Sequence, residues 1–516
     1  MRLHSSAATR AVLPNRTPAR VRKAPGVFRF LLGPTASARP NLDLQGAHLL
    51  GTDGVPTRGD LHIQNNEVVC TARNGEPTAL SLLWDVPEYG QVQLETTRLP
   101  ARPEPYLLPL ELARHRLMRI NMKREEWGLF DYPGMDAFAS GVDAARKLFV
   151  QALQAGNDPA AAGPIAEKAL RAAMVASDQM TMFHAGVFLN RRHQAAGLSR
   201  PFLGVSAPQA MPTPELTQQV KSTFDVLRIP FVWRDLQPKE NVSNFEHVDA
   251  WIGAARKADM QVIGGPLLNF GVRFVPDWMY IWENDFETIF EYTQEHLRRT
   301  VKRYADRVHT WIVASGLHAD NALAFSFEQI MELTRMAASV TRAAAPRAKI
   351  LLDLAQPWGE YYARNQQTIP PLLYADMAVQ GGINFDGFGV QLVFGLDSDG
   401  YHLRDPLQIS SLIDRLANLG KQIHVTAVAA PSEHAHSTGG MWRQPWTPAG
   451  QAEWLGQVCE VALSKPYVDC VVFREWSDTP DVAVPGSGLF DSANHAKPII
   501  ERLGQLRARL QAPPEK

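Results

Sequence analysis

The chain has 516 residues, more than one ordinary domain requires. Its hydrophobic content of 45% and its charged content of 20% are typical of a globular protein. The formal net charge of -1 gives no reason to expect nucleic acid or an anionic membrane surface as a partner.

The usual sequence signals of cofactors, metals and membrane spans are missing. No GxGxxG or GxxxxGK[ST] motif follows a predicted strand, so no nucleotide cofactor is expected. Cys70, Cys459 and Cys470 lack metal-ligand spacing, and their odd number argues against a disulfide framework. Because no apolar run reaches about 18 residues, no transmembrane helix is predicted. The oligomeric state stays open.

Residues 1–26 are basic, contain no acidic residue and lack the apolar segment of a secretory signal. We predict a disordered tail here. The default expectation for localisation is therefore cytoplasmic, although secretion is not excluded.

Residues 27–108 predict a β-sandwich. Five short segments alternate apolar and polar residues between turn residues, namely FRFLL, DLHIQ, EVVCTA, ALSLLWDV and QVQLETTRL. Such a module either binds a ligand, with Trp84 and Trp127 as stacking platforms, or only packs against its neighbour. Both interpretations remain open.

Residues 109–199 predict a helical connector. Apolar residues recur at three- and four-residue spacing in two long stretches, and GNDPAAAGP separates them.

Residues 200–510 predict a closed (β/α)₈ barrel. Eight apolar runs alternate with amphipathic stretches, as parallel strands covered by helices require. The runs are FLGVSA, FDVLRIPFVW, QVIGGPLL, VHTWIVAS, KILLDLA, FDGFGVQL, QIHVTAVA and DCVVFREW. The fold class is therefore α/β, a TIM barrel preceded by a sandwich and a helical connector.

Several segments of this barrel resemble glycoside hydrolase family 10, the endo-β-1,4-xylanases, in the family's order. They are LQPKENVSNFEHVDAWIGAARKADMQVIGGPLL, PDW, HLRRTVKRYADRVHTWIV, AAAPRAKILLDL, FDGFGVQL and VVFREWSD with the following GLFD and KPII. The resemblance implies a glycoside hydrolase that acts on or binds a polysaccharide or oligosaccharide of the xylan class. For the sandwich at residues 27–108 it implies a carbohydrate-binding module as the functional alternative to simple packing.

The two catalytic glutamates of that family are not retained. The acid/base position at the end of strand four is Gly316, and the nucleophile position at the end of strand seven is Ala427. Trp311 and Thr426 match the family beside these positions, so a slipped alignment does not explain the loss. A retaining glycosidase needs both carboxyl groups, and neither glycine nor alanine can transfer a proton or attack.

Other substrate positions of the family are partly kept. Trp233 and Gln391 are retained, and Arg474 stands where the family has tryptophan. We expect these three residues, with Trp476 and Trp442, to bind substrate. Trp446 and Trp282 are further aromatic candidates on loops, and burial is the competing interpretation for each loop tryptophan.

Glu475 and Glu433 are the candidate replacement catalytic carboxylates, because they follow strands eight and seven. Asp353 and Glu360 fit structural roles better. His434 and His436 beside Glu433 have a spacing compatible with zinc, but their polar loop favours solvated histidines, so no metal is predicted.

Three functions remain open from sequence. The first is a barrel that has lost the family's double-displacement mechanism and binds a glycan. The second is an active glycoside hydrolase with relocated carboxylates on a non-xylan polymer. The third is a structural or interaction protein.

Overall fold

The computed structural model describes residues 25–33, 44–73, 75–130, 132–156, 158–196, 202–433, 439–480 and 482–511. The predicted tail therefore lies almost wholly outside the described residues. In the described ranges, no helix has both the length and the hydrophobicity that a membrane span needs.

The N-terminal region forms two mainly antiparallel sheets, with orders β4-β5-β1-β8 and β16-β7-β6-β2-β3. All five predicted strands are present, and three shorter ones add to them. The strands of this region are β1 (Gly26–Leu31), β2 (His48–Leu50), β3 (Pro56–Thr57), β4 (Gly59–Gln64), β5 (Glu67–Ala72), β6 (Ala79–Val86), β7 (Gly90–Glu95) and β8 (Tyr106–Leu107). The sheets precede the barrel as predicted, while sugar binding by them stays a prediction.

Three helices follow: α1 (Leu108–Glu126), α2 (Asp136–Gln154) and α3 (Pro159–Ala196). α1 comes in addition to the two helical stretches predicted from sequence. The predicted break GNDPAAAGP lies only partly between α2 and α3, because α3 begins at Pro159 and contains Pro164. Apolar residues of α1, α2 and α3 share one buried cluster, which includes Ile120, Val142 and Ala173. Packing of these helices against one another explains their spacing of apolar residues.

The eight predicted barrel strands all form, and they close in the order β10-β11-β12-β13-β14-β15-β17-β9. The pairs within the barrel are parallel. The strands are β9 (Leu203–Ser206), β10 (Val226–Ile229), β11 (Gln261–Gly264), β12 (Thr310–Ser315), β13 (Lys349–Leu354), β14 (Gly387–Val393), β15 (Gln422–Ala429) and β17 (Val468–Phe473).

Helices surround the barrel and cover the apolar outer faces of its strands. They are α4 (Pro214–Thr223), α5 (Trp233–Leu236), α6 (Glu246–Lys257), α7 (Phe286–Tyr304), α8 (Phe327–Ala344), α9 (Tyr361–Arg364), α10 (Pro371–Gln380), α11 (Pro406–Ala417), α12 (Pro448–Ser464) and α13 (Pro498–Gln511), with a 3₁₀ helix at Asp277–Trp282. Because helices cover the sheet, most strand residues are buried on both faces.

The register of the barrel shifts within three strand pairs. The shifts lie between Ile312 and Ala314 in β12, between Val390 and Gln391 in β14, and at two places in β15. Such irregularities redirect the side chains that follow them. They therefore influence how the last residues of these strands are presented at the barrel mouth.

A barrel loop completes one N-terminal sheet. The strand β16 (Met441–Trp442) follows β15 in the chain and pairs antiparallel with β7. Trp442 is only 1% exposed, and its ring packs edge-on against Tyr89. Arg443 donates to Asp178 of α3 at 2.7 Å, which also ties this loop to the helical connector. The loop thus joins the three regions.

Candidate functional site at the barrel mouth

A cavity of about 300 Å³ lies at the carboxyl ends of the barrel strands. The loops after parallel strands are where (β/α)₈ barrels place their sites. Its lining includes six residues singled out from sequence, namely Gly316, Gln391, Ala427, Arg474, Glu475 and Trp476. The structure therefore brings together residues that are up to 160 positions apart in the chain.

Asp353, at the end of β13, forms a hydrogen-bond network beneath this cavity. Ser315 and Gln391 each donate to Oδ2 of Asp353 at 2.6 Å, and Thr426 donates to Oδ1. Gln391 also donates to the Ser315 hydroxyl at 3.1 Å. Asp353 is 1% exposed. Both of its carboxylate oxygens accept from protein donors. This carboxylate positions Gln391 at the cavity surface.

Gly316 and Ala427 line the cavity where the resemblance placed catalytic glutamates. Gly316 has a φ of +67°, and its carbonyl accepts from the backbone amides of Ala319 and Asp320. This left-handed conformation disfavours any residue with a Cβ. Ala427 is 2% exposed in β15. Neither position brings an ionisable group to the cavity.

Two cations and two carboxyl groups line the same cavity. Burial lowers the pKa of Arg228, and the positive charge of Arg474 lowers it further. The carboxylates of Asp353 and Glu475 raise it. Burial raises the pKa of Glu475 despite the nearby Arg474, whose Nε donates to Glu475 at 3.2 Å. Burial also raises the pKa of Asp320. Both carboxyl groups are thus shifted towards their protonated forms.

Glu433 and Trp442 do not line the cavity, and their expected roles are corrected. Glu433 is exposed outside it. Trp442 is a buried strand residue with no face free for a sugar ring. His434 and His436, the possible metal ligands beside Glu433, lie outside the described residues.

Trp233 lies behind the cavity wall. Its ring stacks on His296 at 4.3 Å between centroids, and its Nε1 donates to Gln237. Only its neighbour Val232 lines the cavity. Trp233 therefore packs behind the cavity wall and does not contact the cavity directly.

The remaining aromatic and acidic candidates occupy other places. Trp446 and Trp84 are buried, and Trp127 stacks on His184 at 4.1 Å between centroids. Glu360 is buried and paired with Arg404, as its structural interpretation predicted. Trp476 lines the cavity, and its ring stacks on the ring of Phe490.

Arg228 and Asp320 are site residues that sequence reasoning missed. Arg228 lies inside the apolar run of β10. A charged residue inside a buried strand is the signal by which it could have been found. Asp320 lies in the loop after β12, four residues beyond Gly316, and only the fold brings it to the cavity.

A closed parallel barrel with polar groups converging at the carboxyl ends of its strands is the architecture of the (β/α)₈-barrel enzymes. The model of glycosyl hydrolase family 10 matches residues 206–505, more than half of the chain. The chain therefore belongs to glycosyl hydrolase family 10.

Individual relatives are distant. Endo-1,4-beta-xylanase B of Thermotoga neapolitana is 23% identical over 284 residues, which cover 53% of this chain and 77% of the relative. Native xylanase 10B from Thermotoga maritima is 18% identical with a TM-score of 0.47 and matches 63% of this chain and 98% of its own. The enzyme from Paenibacillus barcinonensis is 19% identical with a TM-score of 0.48, over 60% of this chain and 95% of its own.

Proposed function

We propose that this protein binds a β-1,4-linked glycan of the xylan class in the mouth cavity without the double-displacement hydrolysis of its family. Family membership supports the polysaccharide as ligand. The absence of a carboxyl group at both Gly316 and Ala427, which line that cavity, is the observation that carries the loss of mechanism.

The backbone at Gly316 strengthens this interpretation. The φ of +67° at Gly316 favours glycine over a residue with a side chain. This conformation agrees with a site that has no acid/base at this position.

An active hydrolase with relocated carboxylates is the second candidate, because Glu475 and Asp320 both line the cavity. A retaining mechanism needs one protonated acid and one ionised nucleophile, so the environments of the pair should shift their pKa values apart. Burial raises the pKa of both Glu475 and Asp320. This common direction suits hydrogen bonding to sugar hydroxyls better than nucleophilic attack.

The test measures binding and hydrolysis in the same samples. Xylohexaose is titrated calorimetrically into the wild-type protein, and its products are quantified after long incubation. Glu475→Gln and Asp320→Asn are compared with Glu433→Gln, a matched control whose side chain lies outside the cavity.

Binding without products, weakened by Glu475→Gln and unchanged by Glu433→Gln, is the expected result. Hydrolysis that disappears in Glu475→Gln or Asp320→Asn would replace the proposal with the relocated-carboxylate enzyme. If xylohexaose and cellohexaose both fail to bind, the glycan assignment is wrong.

A further inference from the structure

A second cavity of about 230 Å³ lies outside the barrel, between the N-terminal sheets, α1 and the barrel helix α11. The barrel loop around Pro357 and Trp358 forms another part of its wall. The preceding residues Ala355 and Gln356 line the mouth cavity, so this one loop separates the two cavities.

Arginine dominates the polar lining of this second cavity. Its five arginines are Arg98, Arg116, Arg119, Arg404 and Arg415. Two of them have buried carboxylate partners, since Arg116 forms a bidentate pair with Asp405 and Arg404 pairs with Glu360. The first pair joins α1 to the barrel, the second joins two barrel loops, and folding explains both.

The other three arginines have no carboxylate partner of this kind, although Nε of Arg98 donates to the backbone carbonyl of Gly51 at 3.2 Å. Among the described residues, Arg98, Arg119 and Arg415 form no ion pair within 4.0 Å. A Cβ atom on Gly54 would lie 3.0 Å from Nη2 of Arg98 and 3.9 Å from Nη1 of Arg415. The two guanidinium groups therefore approach one small region of the cavity edge.

The like charges also act on one another. Burial lowers the pKa of Arg415, and Arg98 and Arg119 lower it further, whereas Asp53 and Glu95 raise it. Repulsion of this kind opposes folding. Like charges gathered at the edge of a cavity favour a ligand of opposite charge there.

The remaining titratable groups of the cavity do not neutralise this cluster. Glu95 is its acidic lining residue, and burial raises its pKa while His115, Arg404, His48 and Arg98 lower it overall. Burial lowers the pKa of His115 to about 4 and also lowers that of His48. Both histidines are thus neutral at pH 7, and Glu95 together with the exposed Asp53 offsets only part of the three positive charges.

One buried donor of a lining residue has no partner among the described residues. Arg404 is 1% exposed and lines the cavity, and its Nε finds no acceptor among the described residues. A buried guanidinium nitrogen left unpaired is unfavourable. An acceptor oxygen in the cavity would satisfy it.

We infer that this cavity binds a small organic anion whose carboxylate or phosphate group is held by Arg98, Arg119 and Arg415. Guanidinium groups are suited to both oxyanions. Trp358 and Leu94 contribute apolar wall, which fits a ligand with a carbon body. The volume is below the roughly 300–1,000 Å³ of drug-sized sites, so the occupant is the size of a small metabolite. This site is independent of the glycan site.

The test uses calorimetric titration of the full chain at low salt with glucuronate, glucose 6-phosphate and uncharged glucose. The first two probes separate a carboxylate from a phosphate ligand, and glucose controls for the sugar body. Arg98→Gln and Arg119→Gln are compared with Arg347→Gln, an exposed arginine that lines neither cavity.

We expect one of the two anions to bind, glucose not to bind, and each cavity variant to weaken binding by about tenfold or more. Arg347→Gln should bind like wild type. The empty Arg119→Gln protein should melt no lower than wild type, because its repulsion with Arg415 is relieved. A clearly lower melting temperature would mean that the arginine serves folding, and would overturn the inference.

Three further outcomes contradict it. Neither anion binding at about 10 mM would remove the site. Equal binding of glucose would remove the role of charge. Loss of anion binding in Arg228→Gln but not in Arg98→Gln would put the anion in the mouth cavity.

Discussion

Both ends of the barrel contain buried charged groups. These groups are paired at the amino end of the strands and incompletely paired at the carboxyl end. At the amino end of the strands, Asp469 of β17 accepts from Lys349 at 2.7 Å and lies 3.2 Å from Nε2 of His424. At the carboxyl end, Arg228 keeps a buried Nε without an acceptor among the described residues, and Arg474 lies nearby with the same charge.

The difference separates stability from function. Charges that are paired in the interior hold the fold, because removing either partner leaves the other one buried alone. Charges that face a cavity without full compensation lower stability and are retained for what they bind. Substitutions at the two ends should therefore have opposite profiles, with large effects on unfolding at the amino end and large effects on ligand binding at the mouth.

The largest expected effect is that of Asp469→Asn. Its carboxylate is 6% exposed and serves His424 and Lys349 together, so its neutralisation leaves a buried imidazolium without its anion. We expect the free energy of unfolding to fall by about 3 kcal/mol. Urea denaturation at neutral pH measures it.

A surface ion pair provides the control. Asp143→Asn removes the partner of Arg146 from an exposed pair on α2 and should change the free energy of unfolding by less than about 0.5 kcal/mol. Equal losses in the two variants would contradict the distinction between the paired interior charges and ordinary surface charges.

The same amino-end cluster predicts a pH dependence. Burial alone lowers the pKa of His424, but Cys470 and Asp469 raise it to about 9. Because the folded pKa lies above the unfolded value of about 6.5, this stabilisation is complete below pH 6.5 and is lost as pH rises through 9. A shift of this size corresponds to about 3 kcal/mol.

Urea denaturation at several pH values between 6 and about 9.5 checks this dependence. His424→Gln should be less stable at the acidic end and should lack the decline that the wild type shows. A decline of the same size in His424→Gln would assign it to other groups.

Much of the barrel follows from local sequence, because each strand is an apolar run bounded by polar segments. QIHVTAVA coincides with β15, and the other seven runs contain or overlap their strands. The prediction that carboxylates are missing at Gly316 and Ala427 also came from local sequence, since Trp311 and Thr426 match the family beside them. Trp311 and Thr426 lie inside β12 and β15, where the pattern is regular.

The misjudged residues depend on contacts that no local pattern encodes. Trp442 belongs to a two-residue strand that forms by pairing with β7. Its burial was therefore not predictable from the polar sequence around it. Trp233 matches the family motif, yet its ring packs on His296 behind the wall. Asp320 enters the cavity through the course of a loop.

A smaller loss of stability is expected for Asp353→Asn at the base of the mouth cavity. Ser315, Gln391 and Thr426 all donate to this carboxylate, and an amide would present a donor to at least one of them. We expect a loss of about 1–3 kcal/mol in urea denaturation. Affinity for xylohexaose should also fall, because Gln391 loses its anchor. Unchanged stability would show that the network is not needed.

The smallest effect on stability is expected for Arg228→Gln. The variant removes a cation that burial and Arg474 disfavour and that Asp353 and Glu475 favour, so the free energy of unfolding should change by less than about 1 kcal/mol. Affinity for xylohexaose should fall by about tenfold, because Arg228 lines the cavity. The hydrogen bond from its Nη1 to the Ser206 hydroxyl is long, at 3.4 Å.

Arg116→Gln is the comparison at a paired site, because its guanidinium is buried and bound by Asp405. It should lose about 3 kcal/mol of stability without affecting xylohexaose. If Arg228→Gln were as destabilising as Arg116→Gln, the mouth arginine would belong to the folding group, and the contrast between the two ends of the barrel would fail at the residue that defines it best.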